Sequence, residues 1–112
     1  LYFSAHWCPP CRGFTPLLAK AYAGALKEKG LEIVFISSDH DVTSFIEYFS
    51  EMPWKALPYN DRERQNSLSK KYHVRGIPSV VILDESGALI NEDGRAAIMA
   101  DPTGVEFPWK PK

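Results

Sequence analysis

With 112 residues, 45% of them hydrophobic, a formal net charge of −1 and two cysteines, the sequence fits a single domain. A chain of this length buries roughly two-thirds of the surface its unfolded form exposes, so its core needs neither disulfides nor a structural metal, and both cysteines are free for chemistry. The 13 basic and 14 acidic residues are interspersed, which excludes a basic stripe for nucleic acid and an acidic tail, and the apolar runs at 33–36 and 80–83 fall far short of the ~20 residues that cross a bilayer.

Leu1 to Ala5 reads as a short buried strand, and because the chain starts with Leu rather than Met and runs at once into this strand, it reads as a piece of a longer protein. Phe14, Leu17, Leu18, Ala21, Tyr22, Ala25 and Leu26 recur at helical spacing. Pro9 and Pro10 suit that helix's start, Gly30 suits its stop, and Pro16 inside it predicts a kink. Glu32 to Ser37 has the apolar interior of a strand covered on both faces.

Asp41 is placed to cap a helix through Ser50, with Val42, Phe45, Ile46 and Phe49 inward. A loop with Pro53 and Pro58 follows, and then Asp61 caps a helix through His73, with Leu68 and Tyr72 inward. Ser79 to Leu83 reads as one continuous strand, Glu85-Ser86-Gly87 as a turn, Ala88 to Ile90 as its hairpin partner and Arg95 to Met99 as a short helix. The order β, α, β, α, α, β, β, α predicts an α/β fold, with a central mixed sheet and helices on both faces.

The chemistry concentrates in Trp7-Cys8-Pro9-Pro10-Cys11, where a strand ends and a helix begins. A sulfur at a helix N-terminus meets unpaired N–H groups and the positive end of the dipole, and both favour thiolate. Cys8 is therefore the expected nucleophile. With Pro9 and Pro10 lacking N–H groups, the Cys11 amide is the expected donor to the Cys8 sulfur, and Cys11 the more buried, resolving thiol. The pair would otherwise be two unremarkable cysteines or half of a zinc site, but for zinc His6, His40 and His73 form no second knuckle. Gly76-Ile77-Pro78-Ser79 contains a proline at the start of a strand, which either simply opens that strand or is cis and presents the Ile77 backbone to a ligand.

Four segments together, Ser4 to Pro16 with its Cys8-Pro9-Pro10-Cys11 core, Ser50 to Trp54, Gly76 to Ser79 and the ending Glu106 to Lys112, resemble the thioredoxin superfamily, and within it the nucleoredoxin and tryparedoxin branch. The resemblance spans nearly the whole chain. It implies a thioredoxin fold in which Pro78 is cis and faces a Cys8–Cys11 disulfide, with Trp7, Ile77 and Pro78 as the apolar rim that receives substrate. Arg95 matches the arginine with which tryparedoxins help bind a glutathione-spermidine conjugate, a solvated surface arginine being the alternative.

Two departures stand out. Tyr2 occupies the place of the buried acid of ordinary thioredoxins, leaving the Cys11 proton to another acceptor or to water. His40 stands where tryparedoxins carry an acid, which favours a nucleoredoxin-type domain.

His6 either tunes Cys8 or faces solvent, Trp54 and Trp109 are expected to pack loops and tail, and Arg62-Glu63-Arg64 and Lys70-Lys71 to be solvated helix faces.

These readings lead to a protein-disulfide reductase acting through Cys8 and Cys11. The alternative is a redox-gated binding module of a signalling scaffold. No bound cofactor is expected, and reducing equivalents would come from thioredoxin reductase with NADPH or from a low-molecular-weight thiol. The expected partners are disulfide-containing proteins and that upstream reductant, with no nucleic acid and no membrane. The expected setting is a monomer in the cytoplasm, with the nucleus suggested by the resemblance.

Overall fold

The computed structural model describes residues 1–110, so Pro111 and Lys112 of the ending segment lie outside the described residues. Its elements in chain order are β1 (Tyr2–Ser4), α1 (Pro9–Ala21) running into a π-helical turn (Tyr22–Leu26), β2 (Val34–Ser37), α2 (Val42–Phe49), β3 (Lys55–Ala56), α3 (Arg62–Lys71), β4 (Ser79–Val80), β5 (Ile82–Leu83), β6 (Leu89–Asn91) and α4 (Gly94–Ala100). The main sheet has the order β3-β2-β1-β4. In it β1 pairs with β2 in parallel, Tyr2 opposite Phe35, and with β4 antiparallel, Tyr2 opposite Val80. This mixed sheet with flanking helices is the expected thioredoxin fold. Among the described residues no helix is long and apolar enough to cross a membrane.

Alternation along the strands sorts the core into two layers. Tyr2, Phe35 and Val80 point to one face and pack with Phe14 and Leu18 of α1, Tyr48 of α2 and Ile98 of α4. Phe3, Ile36 and Val81 point to the other and meet Leu68 and Tyr72 at α3. The active end of the sheet is thus fixed from both sides.

Four expectations need correction. Ser79 to Leu83 is not one strand: β4 belongs to the main sheet, whereas β5 leaves it to form a separate antiparallel ribbon with β6. Lys55–Ala56, expected as loop, adds in parallel to β2; two residues carry no readable periodicity. The helix from Pro9 does not keep α-helical pitch along its whole apolar stripe: it runs to Ala21, with Pro16 on its exposed side, and then widens into the π-helical turn. Leu17, Val42 and Ile46, expected inward, are all at least half exposed. The stripes that win are Cys11, Phe14, Thr15 and Leu18 on α1, and Phe45, Tyr48 and Phe49 on α2. Each helix is rotated to bury a hydroxyl-bearing residue, Thr15 or Tyr48, rather than an aliphatic one.

Gly94 opens α4 where a side chain has no room: a Cβ there would stand 2.8 Å from Ile82 Cγ1 and 2.8 Å from Val80 Cγ1. Gly94→Ala is expected to overpack this contact and lower stability by about 1–3 kcal/mol, which urea unfolding followed by tryptophan fluorescence will read.

Candidate active site

β1 ends at Ser4, and a turn of four residues delivers Cys8 to the N-cap of α1, with extended backbone (φ −98°, ψ 107°). Pro9 and Pro10 occupy the first turn and donate nothing. The Cys11 N–H therefore turns to the Cys8 sulfur, at 3.3 Å, as the sequence leads one to expect. Cys8 is 5% exposed and Cys11 fully buried, packed with Ala5 and Ile77. The order of burial matches expectation, although Cys8 itself shows only a small face of sulfur. Both thiols are free in this structure.

Opposite them the Ile77–Pro78 peptide is cis, and the Ile77 carbonyl accepts from the Cys8 thiol at 3.8 Å. Trp7 is 54% exposed; its indole N–H donates to the Ser38 carbonyl at 3.0 Å and its ring meets His40 edge-on at 5.5 Å. Arg95 shares a surface cleft with Ile77 and Pro78, its guanidinium 5.8 Å from the Phe14 ring centre. The five residues singled out around the cysteines, Trp7, His40, Ile77, Pro78 and Arg95, thus converge on one end of the sheet. The His6 ring packs edge-on against Tyr48. Trp54 and Trp109 are buried, as expected of packing residues.

Beneath Cys11 lies a buried set of hydroxyls in the place of a carboxylate. The Tyr2 hydroxyl meets that of Thr15, Thr15 meets that of Tyr48, and Ser4 bonds Tyr48 at 2.7 Å. Thr15 also donates to the Cys11 carbonyl at 2.9 Å. Burial raises both phenols, Tyr2 well above its ordinary range, so the set stays neutral. Burial, with the hydrogen bond to Cys8 next, also pushes the Cys11 thiol up to about 11.

The loop after β2 clamps the turn before Cys8, and sequence reasoning assigned it no such role. The buried Asp39 carboxylate accepts the His6 N–H at 2.7 Å and the Ser37 hydroxyl at 2.7 Å. The Tyr59 hydroxyl donates to the Asp39 carbonyl at 2.8 Å. Arg62, expected in solvent, instead donates to the Ser37 carbonyl at 2.8 Å and lies 3.9 Å over the Tyr59 ring. A serine and an aspartate two apart at a strand end were the available signal; Arg62, 25 residues further on, gave none.

A family model described as thioredoxin-like matches residues 1–89. Nucleoredoxin of Danio rerio is 48% identical over 114 residues, covering 100% of this chain and 27% of the relative. Tryparedoxin of Trypanosoma brucei brucei is 44% identical over 110 residues, covering 97% of this chain and 76% of the relative. The chain thus spans about a quarter of the length of the nucleoredoxins it matches. Among solved structures, tryparedoxin from Trypanosoma brucei superposes with a TM-score of 0.95 at 42% identity, over 98% of this chain and 77% of that one. Tryparedoxin II complexed with glutathionylspermidine does so with a TM-score of 0.94 at 39% identity, over 98% and 77%.

Two outcomes follow from this geometry. Asp39→Ala leaves the His6 amide without its partner and is expected to cost about 1–3 kcal/mol in urea unfolding. The raised Cys11 thiol keeps its proton in the folded chain after the unfolded chain has lost it, so the unfolded state gains as pH rises from 9.0 toward about 11. The urea midpoint of the reduced protein should begin to fall near pH 9, whereas in Cys11→Ser the fall should wait until the unfolded-state phenols titrate, near pH ~10.

Proposed function

The chain belongs to the thioredoxin-like family of redox proteins, and we propose that it is a protein-disulfide reductase working through a Cys8/Cys11 dithiol–disulfide couple. One observation carries the reading: an N-capping sulfur receives the amide of a second, fully buried cysteine one turn along the same helix. An attacking thiolate gains a donor there, and the resolving thiol is held next to it.

In the reaction, the Cys8 thiolate attacks one sulfur of a substrate disulfide lodged against Trp7, Ile77 and Pro78, with Arg95 beside them. The substrate S–S bond breaks, its second sulfur leaves as thiolate and takes a proton, and a Cys8–substrate mixed disulfide forms. Cys11, having released its proton to water or to the departed substrate thiolate, then attacks Cys8. The Cys8–Cys11 bond forms, the substrate sulfur that Cys8 had attacked departs as thiolate and is protonated, and the substrate gains two electrons while the enzyme dithiol is oxidised. Since burial keeps Cys11 neutral at rest, it has to lose its proton before the second attack.

Regeneration requires two electrons from outside. Thioredoxin reductase with NADPH, or a low-molecular-weight thiol, is the proposed donor, acting as a partner and not as a bound group. A reducing compartment, cytosol or nucleus, suits a couple used in this direction.

The protein is expected to accelerate insulin reduction by dithiothreitol, and Cys8→Ser to return the rate to that of dithiothreitol alone. Cys11→Ser should retain the first attack and accumulate a mixed disulfide visible by intact mass. An unaccelerated rate in the native protein, together with partner capture that follows its disulfide state, would instead identify a redox-gated binding module.

A further inference from the structure

The cleft beside Pro78 carries an imbalance of charge that the chain as a whole lacks. Overall the sequence has 13 basic against 14 acidic residues, yet His73, Arg75 and Arg95 line this cleft with a single acid, Glu92. Among the described residues the ion pair found joins Arg64 to Asp61, and neither Arg75 nor Arg95 belongs to one. Asp93, next to Glu92 in sequence, is exposed and makes no side-chain capping bond, but it does not line the cleft; Asp39 is held by the His6 amide and Ser37, and Asp41 caps α2 through the Ser44 amide. Arg12, next to Cys11, is exposed, and His40 stands edge-on to Trp7.

Two exposed arginines without carboxylate partners, next to a nucleophile, form a local positive field whose open side faces substrate. We propose that the disulfides reduced at this site are those of acidic protein segments, with aspartates or glutamates flanking the cystine lying along Arg75 and Arg95 while one of its sulfurs meets Cys8. The inference rests on the reductase reading above and adds a substrate class to it. A polypeptide fits better than a small thiol for two reasons. The cations come from separate elements, the segment after α3 and the first turn of α4, so several spaced carboxylates are needed to engage them. On the Ser38–His40 side of Cys8 the half-exposed Trp7 supplies the aromatic surface that, with arginine, is enriched at protein interfaces. Local geometry holds the cations there: His73 takes a left-handed conformation (φ 55°) just past the end of α3, turning the chain toward Arg75 and the cis peptide.

The test compares three disulfide-linked fluorogenic peptides of equal length, with acidic, neutral or basic flanks, and oxidised glutathione as a fourth substrate. The expected kcat/KM is about tenfold higher for acidic than for basic flanks at low ionic strength, expressed mainly in KM, with the ratio falling toward one near 0.5 M salt. Arg75→Glu combined with Arg95→Glu should reverse the order, while Lys20→Glu, on the exposed side of α1, leaves it unchanged. Should that double variant not fold, the salt dependence of the native protein's ratio decides alone. Equal rates on all three peptides overturn this inference while leaving the reductase reading intact. Oxidised glutathione preferred over the acidic peptide, with the same dependence on the two arginines, overturns the protein occupant. No reduction of any substrate overturns the reading on which the inference rests.

Discussion

The first turn of α1 sets the terms for everything around it. A helix start leaves amides that need acceptors, and here two prolines remove two of those amides and pass the requirement to Cys11. A sulfur is the acceptor. Capping and reactivity are thus one interaction, and the strand before the helix must end where Cys8 falls on the cap. Its register, Tyr2 against Phe35 and Val80, fixes that end in the sheet.

A second constraint works from below. Where a buried acid would place a charge under the helix, Tyr2, Thr15, Tyr48 and Ser4 bond one another. Hydroxyls both donate and accept, so four of them close on themselves in a dry core without a counter-ion. Joining β1, α1 and α2 through this set also rotates the helices, at the cost of leaving Leu17, Val42 and Ile46 half exposed. The Cys11 thiol therefore sits over neutral ground, and its burial works against its ionisation.

The sequence announces what depends on neighbours in the chain. The cysteine pair at a helix start, the caps at Asp41 and Asp61, and the long apolar stripe of α1 are local patterns. What it hides depends on partners far away. Arg62 looks like part of a charged helix face until Ser37 and Tyr59 are brought to it. Asp39 looks like a loop residue until the His6 amide arrives from the end of the neighbouring parallel strand. Ser79 to Leu83 is apolar throughout, and no periodicity tells where it crosses from one sheet to the other. Amphipathic spacing counted Val42 and Ile46 as core because it weighs apolar area alone, whereas the fold also had a phenol to satisfy.

The bonds from Trp7 to Ser38 and from Asp39 to His6 tie the turn before Cys8 to the loop after β2, and Arg62 and Tyr59 brace that loop through Ser37 and Asp39. The two segments therefore form one jaw of a vice, the other being the cis peptide at Pro78. On the proposed reading, a jaw stiffened before substrate arrives would lose little conformational entropy on meeting a disulfide. In the proposed reaction it would hold three sulfurs, two of the substrate and one of the protein, nearer the line that displacement requires than a loose loop would.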